Sequence, residues 1–268
     1  MPFLKSEITS LNIKLFAYGD SWTEGQGGNL DEENLIKDRT VLQEFRDQYG
    51  WPKKLAQKLK CTYENKGFSG RANNLIFNDV ISDLRYARIH KGDLVVIMWS
   101  SSLRDYVHFL PKGEWIGWSV KELLALPDKF FKSYKFGDEK YNQFLEEYKK
   151  FFLVNLFNQN YYNIINQNYI IFLQKMLDEY GVKYLMIDAF EHMTQNLNNE
   201  DDKTHLINKK TYLGFGHKTA RDFLLQNEIK DVWELPCKND VDIWVHPNEE
   251  GYNLISNYLY EYIHNNIL

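Results

Sequence analysis

Short apolar runs alternate with helical patterns along most of the chain. Runs of strand length lie at 12–18, 61–65, 93–99 and 182–190, and the run at 93–99 is continuously apolar. Continuous apolarity predicts strands that are buried on both faces, as in a parallel sheet. Helical spacing follows at 51–60, 74–88, 141–157, 161–180, 220–226 and 251–267. Strands that alternate with helices indicate βαβ units and an α/β fold with a mainly parallel sheet.

Two segments interrupt this alternation. Residues at about 105–160 are rich in aromatic side chains, and those at about 191–218 are polar. We expect a single domain over 1–268, in which the aromatic-rich segment is an insertion and the polar segment is a loop. Trp115 and Trp118 lie three apart in the first segment. They form either a platform for a sugar ring or an acyl chain, or a satellite core under a loop or a subunit contact.

Composition excludes several classes of protein. The net charge of −5 argues against a general nucleic-acid binder. Cys61 and Cys237 are too few for a disulfide framework and lack the clustered partners of a zinc site. No apolar run approaches the ~20 residues of a transmembrane helix, and the N-terminus has no secretory pattern. We therefore expect a cytoplasmic protein without metal or cofactor. Aromatic residues make up 16% of the chain, so some are expected to line a binding surface.

A candidate nucleophile follows the first predicted strand. In parallel sheets, ligands bind at the carboxyl ends of the strands, and the first strand is followed there by Gly19, Asp20, Ser21 and Trp22. A serine on a tight strand-to-helix turn is exposed at the sheet edge, and its own N–H at the helix start can stabilise an oxyanion. The alternative is a serine that only caps the helix.

Two further candidates lie at strand or helix ends. Gly70 follows the second strand, and its backbone N–H can approach a substrate oxygen because no side chain stands in the way. Its alternative is a plain turn glycine. His246 comes just before a helix that starts with Pro247. A nearby carboxylate can orient such an imidazole and stabilise its charged form, although a histidine here can also be a cap or a surface residue.

The combination of these three segments resembles the SGNH (GDSL-type) hydrolase superfamily. The segments are G-D-S after the first strand, S-G after the second, and D-x-x-x-H-P-N before the last helix. The resemblance implies a flavodoxin-like, three-layer α/β/α sandwich and metal-free hydrolysis of esters or acyl groups. It implies that Ser21 is the nucleophile, with an oxyanion hole made by the N–H groups of Ser21 and Gly70. His246 is then the general base and Asp242 its orienting acid.

The acid departs from the family pattern. The family places it three residues before the histidine, where this chain has Ile243. Asp242 lies four residues before, so its pairing with His246 requires a one-residue bulge. Asp240 is a weaker candidate. A backbone carbonyl is the other group that can orient the imidazole.

The third motif also departs from the family pattern. Relatives have Gly-x-Asn-Asp after the third strand, with the Asn as a further oxyanion donor. This chain has Ser100, Ser101, Ser102, Leu103 and Arg104 instead. Ser102 aligns best with the missing Asn, but a hydroxyl has a shorter reach than an amide. The motif W-S-S-x-x-R resembles that of a divergent branch of the superfamily.

The expected substrate-binding residues surround these motifs. Arg104 supplies positive charge in place of the missing donor, or binds an acidic part of the substrate, or forms a surface salt bridge. Asp20 and Trp22 flank the nucleophile, and we expect them to contact the substrate together with Trp115 and Trp118.

Three functions remain open at this stage. The leading hypothesis is a serine esterase that hydrolyses a small acyl ester, with an O-acetyl group on a carbohydrate as the first candidate substrate. The second is a catalytically degenerate SGNH scaffold that binds glycans or has a structural role. The third is an O-acyltransferase, in which an acceptor hydroxyl replaces water. The expected partner is a small-molecule or glycan ester, and the sequence gives no oligomeric state.

Overall fold

A four-stranded parallel sheet forms the centre of the structure. The computed structural model describes residues 13–102, 104–109, 114–119, 147, 151, 158–190, 192–193, 203–214, 218–227 and 246–268. The sheet order is β2-β1-β3-β6. The strands are β1 (Lys14–Tyr18), β2 (Thr62–Asn65), β3 (Leu94–Trp99), β4 (Arg104–Phe109), β5 (Glu114–Ser119) and β6 (Lys183–Asp188). Counted along the parallel strands alone, this is the flavodoxin-like order 2-1-3-4.

The register brings the carboxyl ends of the four strands to one edge of the sheet. Ala17 pairs with Asn65, Tyr18 pairs with Ile97, and Trp99 pairs with Asp188. Every strand therefore delivers its following loop to the same side of the molecule, and the segments that carry Ser21, Gly70 and Ser102 begin there.

Helices follow each strand of the sheet. Those described are α1 (Ser21–Glu24), α2 (Leu30–Glu33), α3 (Arg39–Tyr49), α4 (Trp51–Leu59), α5 (Asn73–Arg85), α6 (Gln159–Glu179), α7 (Ala220–Gln226) and α8 (Glu249–Asn266). The patterns at 51–60, 74–88, 161–180, 220–226 and 251–267 correctly predicted α4 to α8. The helix predicted at 141–157 falls largely outside the described residues. The sequence pattern did not predict α3, whose one buried side chain is the charged Arg46.

The sheet has a hydrophobic core on each face, because neighbouring residues of a buried strand point in opposite directions. Leu15 and Ala17 pack with α4, α7 and α8, whereas Phe16 and Tyr18 pack with α5 and α6. The strand β3 divides in the same way, with Leu94, Val96 and Met98 on the first face and Val95, Ile97 and Trp99 on the second. The predicted three-layer α/β/α sandwich is therefore confirmed.

Two features of the chain were not expected from its sequence. The segment after the third strand forms an antiparallel hairpin of β4 and β5, in which Arg104 pairs with Ser119. Within the polar segment, Tyr212 makes a parallel bridge with Met186, and the N–H of Leu213 donates to the carbonyl of Met186 at 2.8 Å. This short stretch extends the sheet beyond β6. Too few residues pair there to leave an apolar pattern.

The helix α7 offers a test of this packing with two adjacent leucines. Leu224 is fully buried, while Leu225 is 50% exposed. Replacing Leu224 by Ala should lower the free energy of unfolding by about 2–5 kcal/mol. Replacing Leu225 by Ala should change it by less than about 0.5 kcal/mol. Urea unfolding followed by circular dichroism measures both, and equal effects would contradict the packing of α7 on the sheet.

Candidate active site

Asp20 shapes the turn between β1 and α1. Its carboxylate accepts a hydrogen bond from the backbone N–H of Trp22 at 3.0 Å, and its carbonyl accepts from the N–H groups of Thr23 and Glu24. Asp20 is therefore the N-cap, and Ser21 is the first residue of the helix. The alternative interpretation of Ser21 as a cap is wrong, since the neighbouring carboxylate has that role.

His246 reaches Ser21 across almost the whole sequence. The Nε2 atom of His246 lies 2.9 Å from the Oγ atom of Ser21. His246 is buried, and Asn248 caps α8 by accepting from the N–H of Gly251 at 2.9 Å. His246 is therefore neither the cap of this helix nor a surface residue. The two side chains form a serine–histidine dyad at the carboxyl edge of the sheet.

Gly27 packs closely against His246. Its φ of +89° lies in the left-handed region, which favours glycine. A methyl group at Gly27 would lie only 2.6 Å from the Cβ atom of His246. Only a residue without a side chain lets the loop approach the histidine this closely.

The imidazole of His246 is neutral at physiological pH. Burial, together with the positive charges of Arg46 and Arg104, lowers the pKa of His246 to about 3. A general base must be unprotonated to accept a proton. The site therefore keeps His246 in the form that can deprotonate Ser21.

The second ring nitrogen of His246 needs an acceptor. If Nε2 accepts from Ser21, Nδ1 carries the ring proton. Nδ1 is buried and has no hydrogen-bond partner within the part of the chain that the structure describes. Asp242 falls in the undescribed segment 228–245, so its pairing with His246 stays a prediction. Buried N–H groups are almost always bonded, which supports a partner at this position.

Arg104 pairs with Asp20 beneath the dyad. Its Nη1 atom donates to the Oδ2 atom of Asp20 at 2.9 Å and to the hydroxyl of Ser100 at 2.9 Å. The Ser100 hydroxyl donates to the same carboxylate oxygen at 2.7 Å. Arg104 is 9% exposed and Asp20 is fully buried. Burial raises the pKa of Asp20, and the guanidinium of Arg104 acts against that rise.

These contacts correct the expectation for both residues. The salt bridge of Arg104 is buried rather than on the surface, and the carboxylate of Asp20 is engaged within the protein. The contacts of Asp20 and Arg104 join the third motif to the turn that carries Ser21. The expected substrate contact of Asp20 is therefore wrong, because its side chain has no exposed surface.

Asn73 holds the third motif in place, a role that the sequence analysis missed. The Oδ1 atom of Asn73 accepts from the N–H of Ser100 at 2.8 Å, and Nδ2 donates to the carbonyl of Ser101 at 3.1 Å. Asn166 donates to the carbonyl of Ser102 at 3.0 Å. The only sequence signal for Asn73 is its position three residues after Gly70, at the start of a helix.

The remaining candidates occupy different environments. Trp22 is fully buried in the core, edge-on to Phe190 with ring centroids 4.9 Å apart, so the expected substrate contact of Trp22 is wrong. Gly70 lies in the turn after β2. Ser102 is buried in the segment after β3. Their roles as oxyanion donors stay predictions. Trp115 and Trp118 lie in β5, with side chains outside the described atoms.

The described residues offer no alternative centre of metal chemistry. Within them, no three His, Cys, Asp or Glu side chains are grouped as metal ligands. In the same ranges, no helix is long and apolar enough to cross a membrane.

The low basicity of His246 can be measured directly. We expect its imidazole resonances to titrate far below pH 6.5, because burial and two guanidinium groups disfavour the charged ring. Two-bond ¹⁵N–¹H NMR over pH 3–8 measures this, with the His246→Gln variant identifying the signals. A pKa at or above 6.5 would contradict the prediction.

The fold can be compared with known proteins now that the geometry is described. No family model matches the chain, and no curated protein matches it. Solved structures do match. A member of the lipolytic G-D-S-L family from Veillonella parvula has a TM-score of 0.42 at 12% identity, covering 93% of this chain and 97% of that one.

Two other solved structures are similar over a comparable length. An alpha/beta hydrolase enzyme from the metagenome of Lake Arreo has a TM-score of 0.45 at 14% identity, covering 95% of this chain and 96% of that one. An acetylxylan esterase from Geobacillus stearothermophilus has a TM-score of 0.41 at 14% identity, with the same coverage of both chains. The resemblance of the chain to the SGNH (GDSL-type) superfamily rests on its sequence motifs.

Proposed function

We propose that the protein is a serine esterase that hydrolyses a small acyl ester. The observation that carries the proposal is the 2.9 Å contact between the Oγ atom of Ser21 and the Nε2 atom of His246. A serine hydroxyl is a weak nucleophile until an adjacent base accepts its proton. The neutral imidazole of His246 is in the right form and within the right distance to do so.

The reaction proceeds in two halves. Ser21 Oγ attacks the ester carbonyl carbon while its proton moves to Nε2 of His246. The tetrahedral intermediate breaks the bond to the alcohol oxygen, which takes the proton from His246 and leaves as the free alcohol. A water molecule then attacks the acyl-enzyme and gives its proton to His246. That proton returns to Ser21 Oγ as the carboxylic acid departs.

The oxyanion is held by backbone groups and the third motif. The N–H of Ser21 lies at the start of α1, and within the described ranges it donates to no protein acceptor. We assign it as one donor, Gly70 N–H as the second and the hydroxyl of Ser102 as the third. Preorganised donors of this kind are each worth about 10²–10³ in rate.

Two features support a small acyl group on a polar carrier. Ser21 is only 6% exposed, which leaves little space for a long chain at the nucleophile. The third motif offers serine hydroxyls where relatives have an amide, and the following segment is rich in aromatic residues. An O-acetylated carbohydrate remains the leading substrate, and acyl transfer to an acceptor hydroxyl would use the same acyl-enzyme.

The nucleophile is tested with Ser21→Ala. Removing the hydroxyl leaves no atom to form the acyl-enzyme, so hydrolysis of p-nitrophenyl acetate should fall by at least about 10³-fold. The protein should remain folded, because Asp20 rather than Ser21 caps α1. Acetate should be a better substrate than octanoate for the unmodified protein. Substantial activity in a folded Ser21→Ala variant would overturn the mechanism, and no wild-type activity on either ester would favour the non-catalytic scaffold.

The orienting acid is tested with a pair of neighbouring aspartates. If Asp242 accepts from Nδ1 of His246, Asp242→Asn should lower kcat by about 10²–10⁴-fold, because the imidazolium loses its charged partner. Asp240→Asn is the matched control and should stay close to wild type. Equal activity of both variants would instead assign a backbone carbonyl to Nδ1. A larger loss for Asp240→Asn would exchange the two assignments.

A further inference from the structure

A buried group of charges lies next to the dyad and takes no part in the proposed chemistry. Arg46 of α3 donates from Nε to Oε1 of Glu33 at 2.8 Å and from Nη1 to Oε2 of Glu24 at 3.0 Å. All three side chains are at most 7% exposed. We call these residues, Glu24, Glu33 and Arg46, the Arg46 cluster.

The Arg46 cluster contacts the turn that carries one predicted oxyanion donor. Glu24 is the last residue of α1, and its Oε2 atom accepts from the backbone N–H of Ser69 at 2.9 Å and from the Ser69 hydroxyl. Arg46 also donates to that hydroxyl at 3.0 Å. Ser69 directly precedes Gly70. One carboxylate therefore joins the helix of the nucleophile to the turn of Gly70.

The other end of the Arg46 cluster contacts the loop under the base. The Oε2 atom of Glu33 accepts from the backbone N–H of Gly27 at 2.9 Å. Gly27 is the residue that packs against His246, with no room for a methyl group between them. The residue before Gly27 is also held, because the hydroxyl of Tyr252 in α8 donates to the carbonyl of Gln26 at 2.7 Å.

Stability alone is a poor explanation for such a cluster. Removing ions from water is costly, and apolar residues of similar size often stabilise a protein equally well. Directed hydrogen bonds from a planar guanidinium instead fix the relative position of several elements. Here those elements are α1, the Ser69–Gly70 turn and the Gly27 loop. The first carries Ser21, the second carries Gly70, and the third packs against His246.

We infer that the Arg46 cluster positions the catalytic groups, setting the distance between the two oxyanion N–H groups through Glu24 and Ser69, and the place of His246 through Glu33 and Gly27. This inference rests on the proposed function for its kinetic consequence. The structural part of the inference, which concerns the placement of Ser21 and His246, does not depend on the proposed function. Arg46 is a positioning residue, because it acts through Ser69 and Gly27 rather than on the substrate.

The main test is a pair of substitutions at Arg46. Arg46→Lys keeps the positive charge but loses the directed bonds, so kcat should fall about tenfold or more while KM changes little. Arg46→Gln should show the same loss and also raise the pKa of His246. The pKa should rise because, among the described residues, the charged groups that act on His246 are Arg46 and Arg104. Both are cationic, so removing one makes protonation easier. A purely structural role would not separate the two variants in this way.

The control is Arg88→Gln at the opposite end of the sheet. Arg88 also donates to a buried carboxylate, that of Asp83 at 3.0 Å, but its own side chain is 58% exposed and it follows α5 at the amino edge of the sheet. Its kcat and His246 pKa should match wild type. A loss equal to that of Arg46→Lys would show a general effect of exposing a buried carboxylate, and would overturn the inference.

A second pair of variants leaves all charges intact. Gly27→Ala should displace His246 and slow the labelling of Ser21 by a fluorophosphonate about tenfold or more. Gly92→Ala is its control, because Gly92 has the same φ of +89° but open space around the new methyl group. Both should lose stability from the strained backbone, Gly27→Ala more because its methyl group meets His246, and only Gly27→Ala should lose reactivity.

The outcomes separate this inference from the proposed function. If the wild-type protein hydrolyses no ester, the proposed function fails, while Ser21 labelling and the His246 titration still test the Arg46 cluster. Wild-type labelling rates and an unchanged His246 pKa in folded Arg46→Lys, Arg46→Gln and Gly27→Ala would overturn the inference. If Arg46→Gln does not fold, Arg46→Lys and Gly27→Ala decide the question.

Discussion

The parallel pairing of β1 with β2 and β3 is the constraint on which the site depends. In an antiparallel sheet, the segments after successive strands would lie at opposite edges. Here Ala17 pairs with Asn65 and Tyr18 with Ile97, so the loops that carry Ser21, Gly70 and Ser102 leave the sheet side by side. The helix α8 returns His246 to the same edge. Residues far apart in sequence meet because the strands share one direction.

Buried polar groups then define the shape of this edge. Asp20 accepts hydrogen bonds from Arg104 and Ser100, and Asn73 accepts one from the backbone N–H of Ser100. In the Arg46 cluster, Glu24 accepts one from the backbone N–H of Ser69. Each of these side chains belongs to one segment of the fold and bonds to another. Apolar contacts could hold the loops together, but they are not directional. Hydrogen bonds specify the angle and distance at which the loops meet, which acid–base chemistry requires.

The sequence predicted the fold and the contact between Ser21 and His246 better than the surroundings of the site. Continuous apolar strands and amphipathic helices are local patterns, so β3, α5 and α8 could be located directly. Ser21 and His246 were found because their motifs are local too. The Arg46 cluster joins residues from α1, α2 and α3, and nothing local in the sequence marks Glu33 or Arg46 as buried. Trp22 was assigned to the substrate site wrongly. The sequence around an aromatic residue next to the candidate nucleophile is the same whether its side chain faces the substrate or the core.

The position of Arg104 has a consequence for how this protein can diverge. Arg104 is both the first residue of β4 and the partner of Asp20, so the hairpin begins at a point that is fixed to the nucleophile turn. The chain beyond that point can lengthen, shorten or change its side chains without altering the path of the backbone through Ser21. Under the proposed function, this guanidinium would join the part of the chain that recognises the substrate to the part that carries the chemistry, so that new specificities could evolve beyond Arg104 while the turn of Ser21 stays constant.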